Sequence, residues 1–275
     1  MGRLAGKTVL MYVGDPGCDP GGRKTSERDL CFTGASAGIG AACAVEFAKE
    51  GCKLILAARR KEKLVEVQQQ IAAQVPGVSV QPLELDVRDR QKVFDAIATL
   101  DPVDILINNA GLVIGLDTIA TVTPTAIDTM LDTNVKGLLN VTQAVLPSMQ
   151  HRNAGHIINV SSISGRETYP GGGVYCASKH AVDALTRTLR MELVDSGINV
   201  TSIDPGLVET EFSIVRFAGD RNKAEAVYKG MQPLTPTDIA ETVVFAASRP
   251  PHVQIASVLI LPSAQAAATM VARKQ

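Results

Sequence analysis

The chain lacks a strong charge of either sign and lacks any long apolar run. Its 275 residues carry a formal net charge of −1, which provides no basic surface for nucleic acid or for an anionic membrane. The longest apolar runs, such as VDILIN and SVLILP, fall well short of the roughly 20 residues that span a bilayer. The N-terminal stretch has no signal-peptide core. These absences predict a cytoplasmic protein that acts on small molecules and binds neither nucleic acid nor membranes.

Cysteine and histidine are scarce, and neither is spaced as a set of metal ligands. The chain has 5 cysteines, an odd number, and none of them forms a C-x-x-C pair. Its 4 histidines show no H-x-x-x-H spacing. A disulfide framework and a zinc site are both disfavoured, so we expect reduced thiols and no metal. The residues concerned are Cys18, Cys31, Cys43, Cys52, Cys176, His151, His156, His180 and His252.

Short apolar runs alternate with longer helical patterns along the whole chain. Most of the runs are continuous in Val, Ile and Leu, which is typical of strands buried on both faces of a parallel sheet. The alternation predicts one α/β domain over residues 1–275, a Rossmann-type doubly wound parallel sheet of about seven strands with helices on both faces. The predicted strands are a first strand beginning KTVL, then 53–58, 78–85, 104–108, 156–161, 199–204 and 257–261.

A glycine-rich segment, TGASAGIG at 33–40, opens the first helical pattern. Glycines at 34, 38 and 40 allow a tight turn and a close approach of the backbone to a pyrophosphate. The N-terminus of the following helix offers free N–H groups and the positive end of its dipole to such an anion. A plain strand-to-helix turn also uses glycine, so the segment gains weight only from other residues.

The second predicted strand ends in Arg59 and Arg60, where dinucleotide folds meet the adenosine ribose. An acid at this place accepts from the ribose 2′-hydroxyl, whereas arginine suits a 2′-phosphate. The pair therefore favours NADP over NAD. The alternative is that the two arginines simply begin the exposed helix start RRKEK.

Polar residues follow the next two strands. Asn109 lies in the stretch NNAG after the strand 104–108, which fits a packed contact with a nucleotide, although an ordinary Asx turn is the alternative. Asp86 directly follows the strand 78–85. It either accepts a hydrogen bond from an adenine amine or caps the following helix.

Tyr175 and Lys179 stand four residues apart at the start of a long helical pattern, so they share one helix face. A neighbouring ammonium favours the phenolate and lowers the pKa of a tyrosine. Such a tyrosine can exchange a proton with an alcohol or a carbonyl. Ser162 precedes this helix and can hold the substrate oxygen. The spacing Y-x-x-x-K alone is usually a surface pair, and its weight comes from the accompanying motifs.

The motifs TGASAGIG, NNAG, DTNVKG, SS at 161–162, YCASK and PGLVETEF occur together in the order and spacing of one family. From about residue 33 onward the chain resembles the short-chain dehydrogenase/reductase family. The stretch PGLVETEFSIVRFAGDRNKAEAVYKG and the tail VLILPSAQA are similar to its branch of NADP-dependent 3-hydroxy acid dehydrogenases, also described as serine or malonic semialdehyde reductases.

The resemblance implies a role for each matching residue. Tyr175 would be the acid and base, Lys179 would bind the nicotinamide ribose and lower the pKa of the tyrosine, and Ser162 would orient the substrate oxygen. Asn134 would hold a water that links Lys179 to solvent. The implied NADP contacts are Gly34, Ser36, Gly38 and Ile39 for the pyrophosphate and ribose, Arg59 and Arg60 for the 2′-phosphate, Asp86 and Val87 for the adenine, Asn109 for its ribose, and Pro205, Gly206, Val208 and Thr210 for the carboxamide.

The implied reaction is reversible hydride transfer at the 3-hydroxyl of a short acid of the serine, 3-hydroxypropionate or 3-hydroxyisobutyrate type. The substrate carboxylate needs a cation, and Arg216 and Arg166 are the candidates, with a surface arginine as the alternative for each. Two other functions stay open, a broader carbonyl or 3-oxoacyl reductase and an NADP-binding protein without activity. The resemblance also implies a homotetramer built on the long helices and a substrate lid at about 209–230.

An insert at about 12–31 separates the first strand from the glycine loop. It is rich in glycine, proline and charge, so it has little to bury. Either KTVLM keeps the central strand position, which we favour because it is the longer apolar segment, or Leu30-Cys31-Phe32 replaces it. The insert is either a selected element or a translated intron, and in either case it raises the question whether the loop still closes on the cofactor.

Overall fold

A computed structural model describes residues 2–12 and 38–274. Within them the strands are β1 (Thr8–Tyr12), β2 (Lys53–Ala58), β3 (Val80–Glu84), β4 (Ile105–Asn108), β5 (Gly155–Val160), β6 (Ile198–Pro205) and β7 (Ser257–Ile260). They form one sheet in the order β3-β2-β1-β4-β5-β6-β7, and every described pairing is parallel. The predicted doubly wound single domain is confirmed. The strand order reverses between β1 and β4, which is where ligands bind in such folds.

The first strand keeps the central position in the sheet. In the register of β1, Val9 stands beside Leu54 of β2 on one side and beside Ile105 of β4 on the other. The favoured arrangement of the N-terminal segment is therefore confirmed for β1, and the alternative segment Leu30-Cys31-Phe32 lies outside the described residues. The insert beyond residue 12 and the loop up to residue 37 lie outside the described residues.

Helices cover both faces of the sheet. They are α1 (Ile39–Lys49), α2 (Lys61–Gln74), α3 (Arg90–Ala98), α4 (Pro124–Leu131), α5 (Leu138–Arg152), α6 (Gly173–Glu192), α7 (Phe212–Arg216), α8 (Arg221–Ala226) and α9 (Pro236–Ala247). Side-chain caps explain several starts, because Asp89 accepts from the Lys92 N–H at 3.2 Å and Thr123 accepts from the Ala126 N–H at 3.2 Å.

The apolar pattern over 127–150 is typical of one long helix, but a π-helical segment, Asp132–Gly137, interrupts it between α4 and α5. A π segment inserts an extra residue per turn and is frequent at functional sites. A Cβ on Gly137 would lie 2.4 Å from Val87 Cγ2, so glycine is required for the close packing here. Residue periodicity alone does not reveal such an interruption, because both flanks keep the apolar pattern of a helix.

The sequence reasoning did not identify α9. Its start carries a capping box, in which Thr235 accepts from the Asp238 N–H at 3.3 Å and the Asp238 carboxylate accepts from the Thr235 N–H at 2.7 Å. Pro236 occupies the first helical position, where proline is favoured. The local signal for a helix was therefore present in the stretch TPTD.

Two apolar clusters lie on opposite faces of the sheet. The helices α1, α2 and α9 pack on one face around Val9, Met11 and Phe47. The helices α3, α5 and the end of α6 pack on the other face around Leu10. Adjacent residues of β1 thus point to opposite faces, as the period of a strand requires. Among the described residues, no helix combines the length and the apolar character needed to cross a membrane.

Candidate active site

A cleft of about 320 Å³ opens at the carboxyl ends of β4, β5 and β6, next to the start of α1. This volume suits a small ligand, because ligand clefts start near 300 Å³. The structure brings most of the predicted site residues into one wall of this cleft. The predicted residues that line it are Gly38, Ile39, Asn109, Ser162, Tyr175, Lys179, Pro205, Gly206, Val208, Thr210 and Arg216.

The predicted residues Gly34 and Ser36 lie outside the described residues. Gly38, the described end of the glycine loop, is the N-cap of α1 and has φ 80°, a left-handed conformation that favours glycine. It offers no side chain to cap the helix, and both Gly38 and Ile39 line the cleft. Its absent Cβ would contact Thr210 Cγ2 at 3.5 Å, which places the loop end beside the segment after β6.

Tyr175 lies in the cleft wall and is buried, at 8% exposure. It packs with Met130 and Leu112, and its ring stands 5.9 Å from that of Phe212 on α7. Burial raises the pKa of Tyr175 above its ordinary range, the nearby phenol of Tyr169 adds to this, and a hydrogen bond with Ser162 opposes it. The ligand-free site therefore favours the neutral phenol, the opposite direction to the lowering expected from Lys179.

Lys179 is almost completely buried one turn along α6. Its ammonium donates to the Val160 carbonyl at 3.0 Å and lies 6.0 Å from the centre of the Tyr175 ring. Burial lowers the pKa of Lys179 to about 8, and the charge of Asp204 works against that lowering. A Cβ on Gly111 would stand 3.2 Å from the Lys179 Nζ, so the glycine of NNAG makes room for the ammonium.

Ser162 follows β5 and starts a 3-10 turn, Ile163–Gly165. Its hydroxyl accepts from the Ser164 N–H at 3.0 Å and faces the cleft beside Tyr175. The turn packs closely on α6, because a Cβ on Gly165 would meet the Lys179 carbonyl oxygen at 2.8 Å. This packing fixes the serine relative to the helix that carries the tyrosine and the lysine.

Asn134 sits in the π-helical segment and is 1% exposed. Its side-chain carbonyl accepts from the Leu112 N–H at 2.8 Å, and its amide donates to the Leu112 carbonyl at 2.9 Å and to Ser178 Oγ at 2.9 Å. The side chain thus joins the loop after β4 to α6. It does not line the cleft, and the predicted water relay through Asn134 stays a prediction.

Arg216, at the end of α7, reaches across the cleft toward Tyr169. Its guanidinium donates to the Tyr169 hydroxyl at 3.2 Å and to the Gly115 carbonyl at 3.4 Å, and it lies 5.3 Å from the Tyr169 ring centre. The Gly115 N–H donates to the Arg216 carbonyl at 3.1 Å. The Arg216 guanidinium therefore lines the same cleft as Tyr175 and Lys179.

Arg166 is placed differently from Arg216, although the sequence offered both as anchors for a carboxylate. It is absent from the cleft lining, and its guanidinium donates to the buried carboxylate of Asp204, at 2.8 Å from Nε, and to Ser257 Oγ at 3.0 Å. The geometry thus directs Arg166 toward β6 and β7 and leaves Arg216 as the candidate that faces the cleft.

The residues predicted for the adenosine end cluster at the ends of β2 and β3. Arg60 is the N-cap of α2, and the charge of Arg59 acts on the Asp86 carboxylate. Burial alone raises the pKa of Asp86, but the hydrogen bonds and charge of Arg88 turn the net shift downward. Arg88 donates to Asp86 at 2.6 Å, so the carboxylate already has a strong partner.

Val87, the other predicted adenine contact, is 2% exposed. Its carbonyl accepts from the Asn140 amide at 2.8 Å, which ties the end of β3 to α5. The contact with Gly137 described above packs its side chain against the π-helical segment. The structure therefore gives Val87 a packing role of its own, and its contact with adenine stays a prediction.

The segment between β6 and α9 leaves the body and returns to it at one place. Val208 and Leu234 form an isolated β-bridge at its base. Within the segment, the Tyr228 hydroxyl donates to the Val208 carbonyl at 2.8 Å and shares a hydrogen bond of 2.6 Å with Ser213. The segment also contacts the body through Arg216, through the Phe212 ring beside Tyr175, and through hydrogen bonds from Arg273 and Lys274 of the C-terminal tail. This geometry suits the lid expected at about 209–230, which stays a prediction.

The comparisons with known proteins agree with this geometry. The model of the short chain dehydrogenase family matches residues 29–220, more than half of the chain. The chain belongs to the short-chain dehydrogenase family. It is thus an oxidoreductase of the class that acts on CH–OH groups, as the motifs predicted.

Several relatives in this family are similar over nearly the whole chain. An "NADP-dependent 3-hydroxy acid dehydrogenase" of Schizosaccharomyces pombe is 45% identical over 280 aligned positions, which cover 100% of both chains. A "Sulfoacetaldehyde reductase 2" of Chromohalobacter salexigens is 41% identical over 242 positions, 86% of this chain and 95% of that one. A solved closed form of serine dehydrogenase complexed with NADP+ is 37% identical, covers 98% of this chain and 100% of its own, and has a TM-score of 0.83.

This short-chain dehydrogenase also has cleft residues that the sequence reasoning missed. Of the 4 tyrosines in the chain, Tyr169, Tyr175 and Tyr228 all line the cleft. The scarcity of aromatic residues was therefore a usable signal, although no local motif marks Tyr169 or Tyr228. Gln265 was also missed: it lies in the tail VLILPSAQA, but the resemblance gave this residue no role, and it reaches the cleft from the C-terminal end of the chain.

Gln265 supports the segment after β6 from behind. Its side-chain carbonyl accepts from the Leu207 N–H at 2.8 Å, and a Cβ on Gly206 would lie 2.3 Å from the same oxygen. Glycine at 206 is thus required by this close approach. The motif PGLV therefore depends on a tail residue that no spacing rule connects to it.

Proposed function

We propose that the protein is an NADP-dependent dehydrogenase of short 3-hydroxy acids, which also reduces the corresponding semialdehydes. The observation that carries the proposal is that Ser162, Tyr175 and Lys179 share one cleft with the permanent cation of Arg216. The first three supply proton chemistry at a hydroxyl or carbonyl oxygen, and the fourth suits an anionic substrate. The names of the fission yeast relative and of the NADP-bound serine dehydrogenase support the same reading.

The residues present fit a bound dinucleotide. The left-handed Gly38 at the start of α1 and the close approach of Gly206 to Gln265 leave backbone where a side chain would intrude. When bound, NADP supplies the hydride chemistry at its nicotinamide ring. The residues proposed to hold it are Gly34, Ser36, Gly38, Ile39, Asn109, Tyr175, Lys179, Pro205, Gly206, Val208 and Thr210, with Asp86 and Val87 at the adenine.

Arg59 and Arg60 are proposed to bind the 2′-phosphate. They stand at the end of β2, next to the carboxyl edge where the cleft opens. Asp86, the acid that we assign to the nucleotide, follows β3, the strand beside β2. Arg88 donates a hydrogen bond to its carboxylate at 2.6 Å. A carboxylate neutralised in this way repels a phosphate less than a free one does, which favours NADP over NAD.

In the proposed mechanism Tyr175 moves the proton. Because burial favours its neutral form, the phenol is set to donate to a substrate carbonyl oxygen in the reductive direction. In the oxidative direction the same oxygen takes the hydroxyl proton, and the Lys179 ammonium stabilises the phenolate that this requires. Ser162 orients the substrate oxygen. Asn134 holds the loop at Leu112 against α6 through its hydrogen bonds to Leu112 and Ser178.

Arg216 is proposed to bind the substrate carboxylate. Its guanidinium is already held near Tyr169 by a hydrogen bond and by ring contact, so it is preorganised over the cleft. The sulfoacetaldehyde reductase among the relatives acts, by its name, on a compound that carries a sulfonate instead. The proposed anchor is therefore an anion site, and substrate assays decide the acidic group and the chain length of the natural substrate.

The test compares charged and neutral substrates. We expect Arg216→Ala to raise the KM for L-serine and 3-hydroxypropionate by about 100-fold, because a charge-assisted contact contributes roughly 1.5–3 kcal/mol. The KM for a neutral alcohol of equal length should change little. Arg187→Ala, which removes an exposed arginine paired with Asp183 on α6, is the matched control. Equal effects on acids and alcohols would refute the assignment.

The same assays separate the remaining alternatives. Higher turnover on an acyl-thioester than on L-serine would favour a 3-oxoacyl reductase. NADPH binding measured by fluorescence decides whether the insert impairs the cofactor site. We also propose a homotetramer and a cytoplasmic location, in line with the family resemblance. Light scattering after gel filtration tests the first, and localisation of a tagged chain tests the second.

A further inference from the structure

Asp204 and Arg166 form an ion pair that the proposed mechanism does not use. The side chain of Asp204 is 2% exposed and that of Arg166 is 32% exposed. Both the Nε and an Nη of Arg166 donate to Asp204 Oδ2, and Ser202 Oγ donates to the other carboxylate oxygen at 2.5 Å. A carboxylate held by three donors, two of them from one guanidinium, has a fixed position.

The fold brings this carboxylate to the face of the sheet that α6 covers. Along β6, Ile203 belongs to the cluster under α1 and α9, so its neighbour Asp204 points to the other face. Val160 of β5 pairs with Ile203, one residue before Asp204. The Val160 carbonyl is the acceptor of the Lys179 ammonium at 3.0 Å. The acceptor of the ammonium, Val160, and Asp204 therefore lie at the carboxyl ends of two adjacent strands.

The charged groups around Lys179 in the described part of the chain are few. On α6 itself, the ring of the neutral Tyr175 lies 6.0 Å from the Lys179 ammonium. At the end of β6, the charge of Asp204 acts on that ammonium. The turn after β5 contributes Arg166, which acts through Asp204. The π-helical segment and the loop after β4 contribute the neutral Asn134 and Gly111. Asp204 is thus the negative charge that faces the lysine.

We infer that Asp204, held in place by Arg166, is a positioning residue that keeps the buried ammonium of Lys179 charged. A buried ammonium tends to lose its proton, because desolvation penalises the charged form. The negative charge of Asp204 opposes this loss, and Arg166 limits how strongly it does so. The charge state of Lys179, on which the proton chemistry depends, would then be controlled by Asp204 and Arg166, two residues that do not touch the substrate.

The inference is tested on the ligand-free protein, so it does not depend on the proposed substrate. Lysine labelled with 13C at Cε is titrated by NMR, and the Lys179 signal is identified by its loss in Lys179→Met. We expect Asp204→Asn to move the Lys179 titration midpoint down by about one pH unit, the lower end of the range for a close opposite charge. We expect Arg166→Met to move it up, because the Asp204 charge is then uncompensated.

The opposite signs separate an electrostatic effect from a general loosening of the site. A purely structural role would lower stability in both variants and would shift the two midpoints in the same direction or in neither. Asp104→Asn is the matched control, since Asp104 also accepts from an arginine, Arg152, at 3.1 Å but stands at the opposite end of the sheet. In Asp104→Asn, the titration midpoint of Lys179 should equal that in the parent protein.

The alkaline limb of the pH profile of kcat/KM provides a second measurement. It should move to lower pH in Asp204→Asn and to higher pH in Arg166→Met. A midpoint of Lys179 that Asp204→Asn leaves unchanged would overturn the inference, and so would a downward shift in Arg166→Met. If Asp204→Asn does not fold, Arg166→Met alone decides by the direction of its shift. Loss of dehydrogenase activity in the parent would contradict the proposed function but would leave the NMR result valid.

Discussion

The two ends of the sheet use the same kind of ion pair under different conditions. At the amino end, Asp104 accepts from Arg152 at 3.1 Å, from Lys7 at 3.4 Å and from the Thr8 N–H at 2.9 Å, and its side chain is 23% exposed. At the carboxyl end, the side chain of Asp204 is 2% exposed. Water screens the first cluster and hardly reaches the second, so only the second can act strongly on its neighbours.

This difference separates stability from chemistry along the length of the strands. The amino end joins β1, β4 and α5 through partly exposed charges, each of which contributes little by itself. The carboxyl end holds Tyr175 and Lys179 with altered pKa values in a cleft. Perturbed pKa values cluster at functional sites, and those of Tyr175 and Lys179 lie on the side of the sheet where the cleft opens. Changes at the two ends should therefore have separable effects.

The largest expected effect is the loss of activity in Tyr175→Phe. The phenol oxygen is the only part removed, and with it the proposed proton donor, so kcat/KM should fall by about 10³-fold. The apolar packing against Met130 and Phe212 is kept, so the melting temperature should stay within the range of a neutral change. Steady-state kinetics and thermal unfolding check both statements. A variant that keeps most of the parent activity would remove Tyr175 from the mechanism.

A smaller effect is the loss of stability at acid pH that we expect from His156, at the amino end of the sheet. His156, at the start of β5, is buried and shares a hydrogen bond of 2.8 Å with Thr201. Burial lowers its pKa from 6.5 to about 4. As the pH falls below 6.5 the unfolded chain binds the proton first, so stability present above pH 6.5 is lost toward pH 4, by about 3 kcal/mol in total.

The slope of stability against pH tests this assignment. Urea unfolding at several pH values should show a shallower acid slope in His156→Gln than in the parent. His252→Gln, at an exposed histidine, should keep the parent slope. Equal slopes in both variants would mean that His156 does not carry the acid sensitivity. Activity measured near neutral pH should not follow this titration, since His156 lies outside the cleft.

The smallest expected effect is that of Asp104→Asn. The substitution weakens partly exposed ion pairs and a hydrogen bond to the Thr8 N–H, so the free energy of unfolding should fall by about 1 kcal/mol. Salt should reduce the difference, because it screens exposed charges. The value of kcat/KM should match that of the parent. A marked kinetic change in this variant would blur the separation between the two ends of the sheet.

The sequence predicted the strands well where local patterns decide the outcome, and many of the residues predicted for the site line one cleft. Continuous runs such as KLILAA form buried strands because both faces of the sheet are covered, and Tyr175 and Lys179 share a helix face because of their spacing. The edge strand β3 is shorter than predicted, Val80–Glu84, since its outer side has no partner strand among the described residues.

The sequence could not reveal what depends on distant partners. Arg166 and Arg216 look alike in the sequence, and only the fold places the first beside Asp204 and the second over the cleft. Gln265 reaches the cleft from the tail, and no local pattern shows that it supports the backbone at Leu207. The π-helical segment depends on the contact between Gly137 and Val87, which lie on different elements. Residue periodicity carries no information on such contacts.

The bridge between Val208 and Leu234 has a consequence for how this protein can diversify. The chain leaves and re-enters the body at this hydrogen-bonded crossing, but the residues between are also tied to the C-terminal tail. Arg273 donates to the Val227 and Lys229 carbonyls, and the Lys274 N–H donates to the Gly230 carbonyl at 2.7 Å. We therefore expect that a segment grafted from a relative between Val208 and Leu234 must match the tail as well as the ends of β6 and α9. The tail and this segment should change together, both in evolution and in redesign.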